Sequence, residues 1–183
     1  MEARCDGKVN CEDTSDEEEC RLAVVLPSYN REMNPPPTEG DTRVNVVLTV
    51  GVEEILKVEE MSQVFHVKYI LSTTWIDPGL TYHNLKVDQA ENVLKKEDED
   101  KLWIPKLIFE NSKEKHDTTR NLEGTQFFIQ REGNASWSKS DIAEDILLFE
   151  GDENPILMVF STTLVFNCYY DLELFPFDTQ VQR

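Results

Sequence analysis

Phe65-His66-Val67-Lys68-Tyr69-Ile70-Leu71-Ser72-Thr73-Thr74-Trp75 repeats with a period of two. Phe65, Val67, Tyr69, Leu71, Thr73 and Trp75 fall on one face, and His66, Lys68, Ser72 and Thr74 on the other. Successive side chains of an extended strand point to opposite sides, so this run predicts a strand with one packed and one wetter face. The pattern recurs on both sides of it. Upstream, Val44, Val46, Leu48, Val50 and Val52 alternate with Asn45, Thr49 and Gly51. Downstream, Ile156, Met158, Phe160, Thr162, Leu164, Phe166 and Cys168 form another long one-sided run. Long one-sided strands of this kind predict an all-β fold, an antiparallel β-sandwich.

The segments between and before these strands read differently. Residues 22–30 (Leu-Ala-Val-Val-Leu-Pro-Ser-Tyr-Asn) predict a short helix, and Pro35-Pro36-Pro37 an extended, stiff stretch. The acidic run Lys95 to Lys101 and the polar stretch 111–123 are expected to be loops. The chain has 183 residues and a formal charge of -18. Such acidity argues against a nucleic-acid or anionic-membrane surface, because both partners are themselves negative. No apolar run reaches the ~18–20 residues that span a bilayer. No signal peptide precedes Cys5, although a cysteine-rich acidic segment suits a secreted protein. The expectation is a fragment whose N-terminus lies upstream.

Residues 1–20 carry eight acidic side chains, two basic ones and three of the four cysteines (5, 11 and 20). So little apolar surface needs a disulfide or a metal to fold. Asp6, Asn10, Asp16 and Glu17 offer hard oxygen donors around Gly7, the donor type calcium prefers. The stretch Arg4 to Cys20 resembles the C-terminal half of an LDL-receptor class A repeat, which ends C-D-x-x-x-D-C-x-D-x-S-D-E-x-x-x-C. That resemblance implies calcium as cofactor, side-chain ligands at Asp6, Asn10, Asp16 and Glu17, and backbone carbonyl ligands at Ala3 and Lys8. It also implies a Cys5–Cys20 disulfide, with Cys11 paired to a cysteine upstream. Asn10 departs from the family's aspartate, keeping an oxygen and losing a charge.

A second resemblance covers residues 44–183. The run Trp75-Ile-Asp77-Pro-Gly79-Leu80-Thr-Tyr82 resembles the W-x-D-x-R-L-x-Y pattern of the extracellular domain of Cys-loop (pentameric) ligand-gated ion channels. Leu102-Trp103-Ile-Pro105-Lys106, continuing to Asn111, is similar to that family's W-x-P-D-x-x-x-x-N segment. Cys168-Tyr-Tyr-Asp171-Leu172, continuing through Phe175-Pro176-Phe177-Asp178 to Gln180, is similar to the opening of its signature loop. By this resemblance, a small-molecule agonist binds between sister subunits of a pentamer. The tip Phe175, Pro176, Phe177 and Asp178 then carries the motion to pore helices that anchor the parent protein in the membrane. The domain is expected on the extracellular side of the plasma membrane.

Departures from the pattern shape the expected site. Gly79 replaces an arginine, Lys106 an aspartate, and Gln182 stands where the second loop cysteine belongs. The pocket aromatics fall on Glu110 and Ile70. Aromatic rings hold amine agonists through cation–π attraction worth roughly 0.5–2 kcal/mol each. Glu110 replaces a ring with charge, or is simply a solvated surface acid, and Ile70 offers only apolar contact. Asn134-Ala135-Ser136 is a glycosylation sequon in a polar stretch. Neither a nucleophile–base pair nor a phosphate loop is present in the sequence, so no enzyme is expected. The expected organisation is a class A half-module over residues 1–21 and an incomplete ligand-binding domain over 22–183. Two rival readings are a secreted ligand-binding sandwich without a pore and a calcium-dependent adhesion module.

Overall fold

In the computed structural model, residues 12, 21–38, 40–113, 124–137 and 147–169 are described. Their strands are β1 (Ala23–Val25), β2 (Val46–Glu59), β3 (Val64–Trp75), β4 (Leu80–His83), β5 (Gln126–Ile129), β6 (Ser136–Trp137), β7 (Leu147–Glu150) and β8 (Ile156–Asn167). They form two four-stranded antiparallel sheets, ordered β1-β4-β7-β6 and β2-β3-β8-β5. The all-β sandwich expected from the alternation is what these strands build. None of the described helices is long and apolar enough to cross a membrane.

The chain divides into two compact units. The first comprises Met1–Val47, Thr73–Ile104 and Gln126–Met158. Its core gathers Trp75, Leu80, Tyr82, Leu85, Leu102, Ile129, Phe149, Ile156 and Met158, all essentially without solvent contact. Trp75, placed by alternation on the packed face of β3, meets Trp103 edge-on, with ring centroids 6.2 Å apart. Two buried asparagines tie loops to this core. Asn92 Oδ1 accepts from Lys86 N, while Nδ2 donates to the carbonyls of Lys86 and Ile129. Asn154 Oδ1 accepts from the amides of Glu132 and Gly133, and its Nδ2 donates to Glu150 O at 2.7 Å. Gly151 donates its amide to Leu80 O at 2.9 Å, and a Cβ there would lie 2.2 Å from Asp77 O. Only glycine lets the chain approach β4 so closely.

The second unit comprises Leu48–Ser72, Pro105–Thr125 and Val159–Arg183. Val67, Tyr69, Leu71, Phe160 and Leu164 are buried in it. The opposite face of β3 is polar, as its alternation predicts. There Lys68 pairs with Glu53 at 3.1 Å, and Glu59 meets both Lys57 at 2.7 Å and His66 at 3.3 Å. The hydrogen bond from Lys57 is the main cause holding the Glu59 carboxyl below its ordinary range.

Three local expectations are corrected. Residues 23–25 form strand β1 rather than a helix, with Ala23, Val24 and Val25 opposite Tyr82, Thr81 and Leu80 of β4. Pro27 has no amide hydrogen for a helix, and paired β-branched valines suit a pleated edge. The acidic run is not a loop throughout: Lys96–Glu99 make a one-turn helix, α1. Asp98 and Glu99 are buried in it, ion-paired with Lys101 and Lys96 at 3.0 Å each. Finally, β2 does not bury its apolar face. Leu48, Val50, Val52, Leu56 and Val58 stay about half exposed or more, because side-chain burial needs a covering layer and none of the described elements covers that face of β2.

Candidate functional site

The geometry at the far end of the second unit follows from β3. Alternation turns Phe65 and Tyr69 to one side and Ile70 to the other. Phe166 of β8 stacks on Phe65 with centroids 5.4 Å apart and lies 6.0 Å from Tyr69. Phe109 closes the group, 6.0 Å from Tyr69 and 6.3 Å from Phe166. Four rings at these spacings form one rigid apolar cluster, each pair worth roughly 0.5–1.5 kcal/mol beyond its buried area.

Segment 109–113 is held against that cluster by its backbone. Lys113 N donates to Val165 O at 2.8 Å, and Asn167 N donates to Asn111 O at 3.1 Å. Asn111 Nδ2 returns a bond to Asn167 O at 2.9 Å, and Ser112 Oγ donates to Phe109 O. Glu110 therefore sits on an anchored segment with its side chain exposed. Ile70 is 39% exposed on the polar face of β3, open to contact from outside this chain. Cys168 follows β8, with its amide donating to Gln63 O in the β2–β3 turn at 2.8 Å, and its thiol is free.

A second constellation, in the first unit, was not legible beforehand. Asp77 is fully buried and accepts the Tyr29 hydroxyl at Oδ2, 2.6 Å away, and the Gly79 amide at Oδ1, 3.0 Å away. Tyr29 Oη in turn accepts from Trp103 N at 2.9 Å. Burial pushes the Asp77 carboxyl above its ordinary value, against the lowering effect of these two donors. Burial and the hydrogen bond to Asp77 push the Tyr29 phenol up as well. Gly79 now has a structural reason: a Cβ there would lie 3.1 Å from the Tyr29 ring and 3.2 Å from Asp77 Oδ1. The motif tryptophans and Asp77 were visible in the sequence, but Tyr29, 48 residues upstream, carried no signal linking it to them.

The remaining expected residues divide in two. Asn134 is exposed two residues before β6, its amide donating to Glu153 Oε2. Ala3, Cys5, Asp6, Lys8, Asn10, Asp16, Glu17, Cys20, Phe175, Pro176, Phe177 and Asp178 lie outside the described residues. Among the described residues no cluster of acids, histidines and cysteines could hold a metal ion.

Comparison with known proteins bears on most of the chain. The family model described as the neurotransmitter-gated ion-channel ligand binding domain matches residues 18–146. The acetylcholine receptor subunit beta-type unc-29 of Caenorhabditis elegans is 22% identical over 173 residues, covering 94% of this chain and 30% of that protein. The human gamma-aminobutyric acid receptor subunit epsilon is 29% identical over 113 residues, 61% of this chain and 21% of that protein. The acetylcholine-gated chloride channel subunit acc-2 of Caenorhabditis elegans is 30% identical over 78 residues, 43% of this chain and 17% of that protein. The chain thus spans less than a third of the length of these relatives.

Proposed function

Because the chain belongs to the family of neurotransmitter-gated ion-channel ligand-binding domains, we propose that it is the extracellular ligand-binding part of a channel subunit. In this reading it binds a small agonist between neighbouring subunits of a pentamer and couples that binding to a pore carried elsewhere in the parent protein. The observation that carries the reading is the anchored segment 109–113. Its backbone bonds to the end of β8 hold Phe109 in the ring cluster and present Glu110 outward. Glu110 is the charged group for an agonist amine, and Ile70 supplies an apolar wall on the adjoining subunit's side of the pocket.

The tip Phe175-Pro176-Phe177-Asp178 is assigned the coupling role, supported by its apolar character and by the position of Cys168 beside the β2–β3 turn. Residues 1–21 are assigned to a class A half-module, with calcium held by Asp6, Asn10, Asp16 and Glu17 and a Cys5–Cys20 disulfide; the hard oxygen donors support this. A glycan on Asn134 is supported by its exposure.

Current recorded from cells expressing the complete subunit, challenged with a panel of amine transmitters, tests the reading. Glu110→Gln is expected to raise the half-maximal agonist concentration by up to about fivefold, the size of an exposed charge contact. Agonist responses that are indifferent to both Glu110→Gln and Ile70→Ala would remove these residues from the pocket. Agonist binding without any current would favour a ligand-binding sandwich without a channel.

A further inference from the structure

A cleft of about 320 Å³ opens in the first unit, at the start of β2 and the end of β3. Its volume lies within the roughly 300–1,000 Å³ of small-molecule sites. Pro36, Pro37, Val44, Val47, Trp75 and Pro155 give it carbon walls. Asp41 is the one charged residue in the lining.

Two features make this a prebuilt site. The proline run has fixed φ angles, so its wall loses little freedom when a guest arrives. Beyond it, Asp41 N donates to Thr38 O at 3.0 Å, and Gly40 takes φ +94°. The Thr38 hydroxyl then donates to Asp41 Oδ2 at 3.0 Å, which orients the carboxylate. Asp41 is exposed at the rim of the cleft, and neither lysine nor arginine is among the described residues that line it. An acid oriented this way beside carbon walls complements a guest with one positive head and an apolar body.

We propose that this cleft binds a small protonated monoamine with an apolar body, its ammonium on Asp41 and its body against Pro36, Pro37 and Val47. The site belongs to a different unit from Ile70 and Glu110. It does not depend on the channel reading, and binding here carries no gating role.

Isothermal titration of the full chain with phenethylamine at neutral pH and low salt tests the proposal. One-to-one saturable binding in the millimolar range or tighter is expected. 2-Phenylethanol, which has the same body without the charge, is expected to bind about fivefold more weakly, the scale of an exposed charge pair. Asp41→Asn, a surface change that leaves the fold intact, should bring the amine down to the alcohol's affinity. Val47→Trp, at an exposed wall position, should block both ligands by filling the cleft. The proposal is overturned by absence of saturation, by equal affinity for amine and alcohol, or by binding that survives both substitutions. It is also overturned if the free chain dimerises through this cleft, seen as a sedimentation dimer that Val47→Trp disperses.

Discussion

Replacing Tyr29 with phenylalanine removes one oxygen and breaks two part-buried hydrogen bonds at once. The hydroxyl donates to Asp77 Oδ2 at 2.6 Å and accepts from Trp103 N at 2.9 Å. A lost hydrogen bond to a charged group costs roughly 1.5–3 kcal/mol, and an orphaned buried amide roughly 1–3 kcal/mol. Partial relaxation trims the sum to about 3 kcal/mol at neutral pH. For a chain of this size each 1 kcal/mol lowers the melting temperature by roughly 2–4 °C, so a fall of about 6–12 °C is expected.

The pH dependence of that deficit identifies its cause. Burial raises the folded Asp77 carboxyl above its unfolded value, so the folded state favours the proton. The contribution of Asp77 is therefore fully present below the unfolded value and is lost as pH rises through the folded one. The Tyr29 hydrogen bond limits that upward shift, and Tyr29→Phe pushes the carboxyl further up. Comparing urea unfolding of the two proteins at several pH values cancels carboxylates that both share. The deficit should be smallest near pH 4, where about 1 kcal/mol remains for the orphaned Trp103 amide, and should grow toward pH 7. A deficit that stays constant across this range, or that never exceeds about 1 kcal/mol, refutes the account.

Asn154→Ala removes an acceptor for two amides and the donor to Glu150 O; denaturant unfolding should show a loss of about 3 kcal/mol. Gly151→Ala places a methyl 2.2 Å from a backbone oxygen that cannot swing away, so circular dichroism should show a loss of more than about 3 kcal/mol, or no folded protein. Burial lowers the His83 pKa, so the neutral ring favours folding above its unfolded value and this contribution is lost as pH falls through the folded one. His83→Gln should flatten the fall in stability as pH drops from about 7 to 5, followed by thermal melts. Phe166→Ala strips a half-buried ring from contact with three others, and a cost of about 2–3 kcal/mol, below that of a fully buried ring, is expected from urea unfolding.

Much of the sandwich was legible because strand periodicity is local. The polar and apolar sides of β3 and the burial of Trp75 follow from two-residue alternation alone. Where the alternation misled, neighbours were the cause. The valines of β2 have the pattern of a buried face, yet a strand's burial depends on what covers it. Segment 22–26 is apolar without a period, and pairing with β4 made it a strand. At the candidate site, Glu110 and Ile70 were identified by their places in motifs, but the contacts that anchor segment 109–113 reach β8, more than 50 residues away. No local pattern encodes such a pairing.

Composition and alternation by themselves determined an acidic, all-β chain, and short motifs along it resemble those of a channel's ligand-binding domain. They did so because side-chain direction along a strand is set residue by residue, and because motif residues lie close together in the chain. The tertiary structure decided which charges are buried, which faces stay open and why Gly79 stands where the pattern has arginine. Those outcomes depend on long-range approach. Tyr29 fills the space a side chain at 79 would need, and Asp77 lies in the dark of the core only because Tyr29 and the Gly79 amide meet its oxygens there.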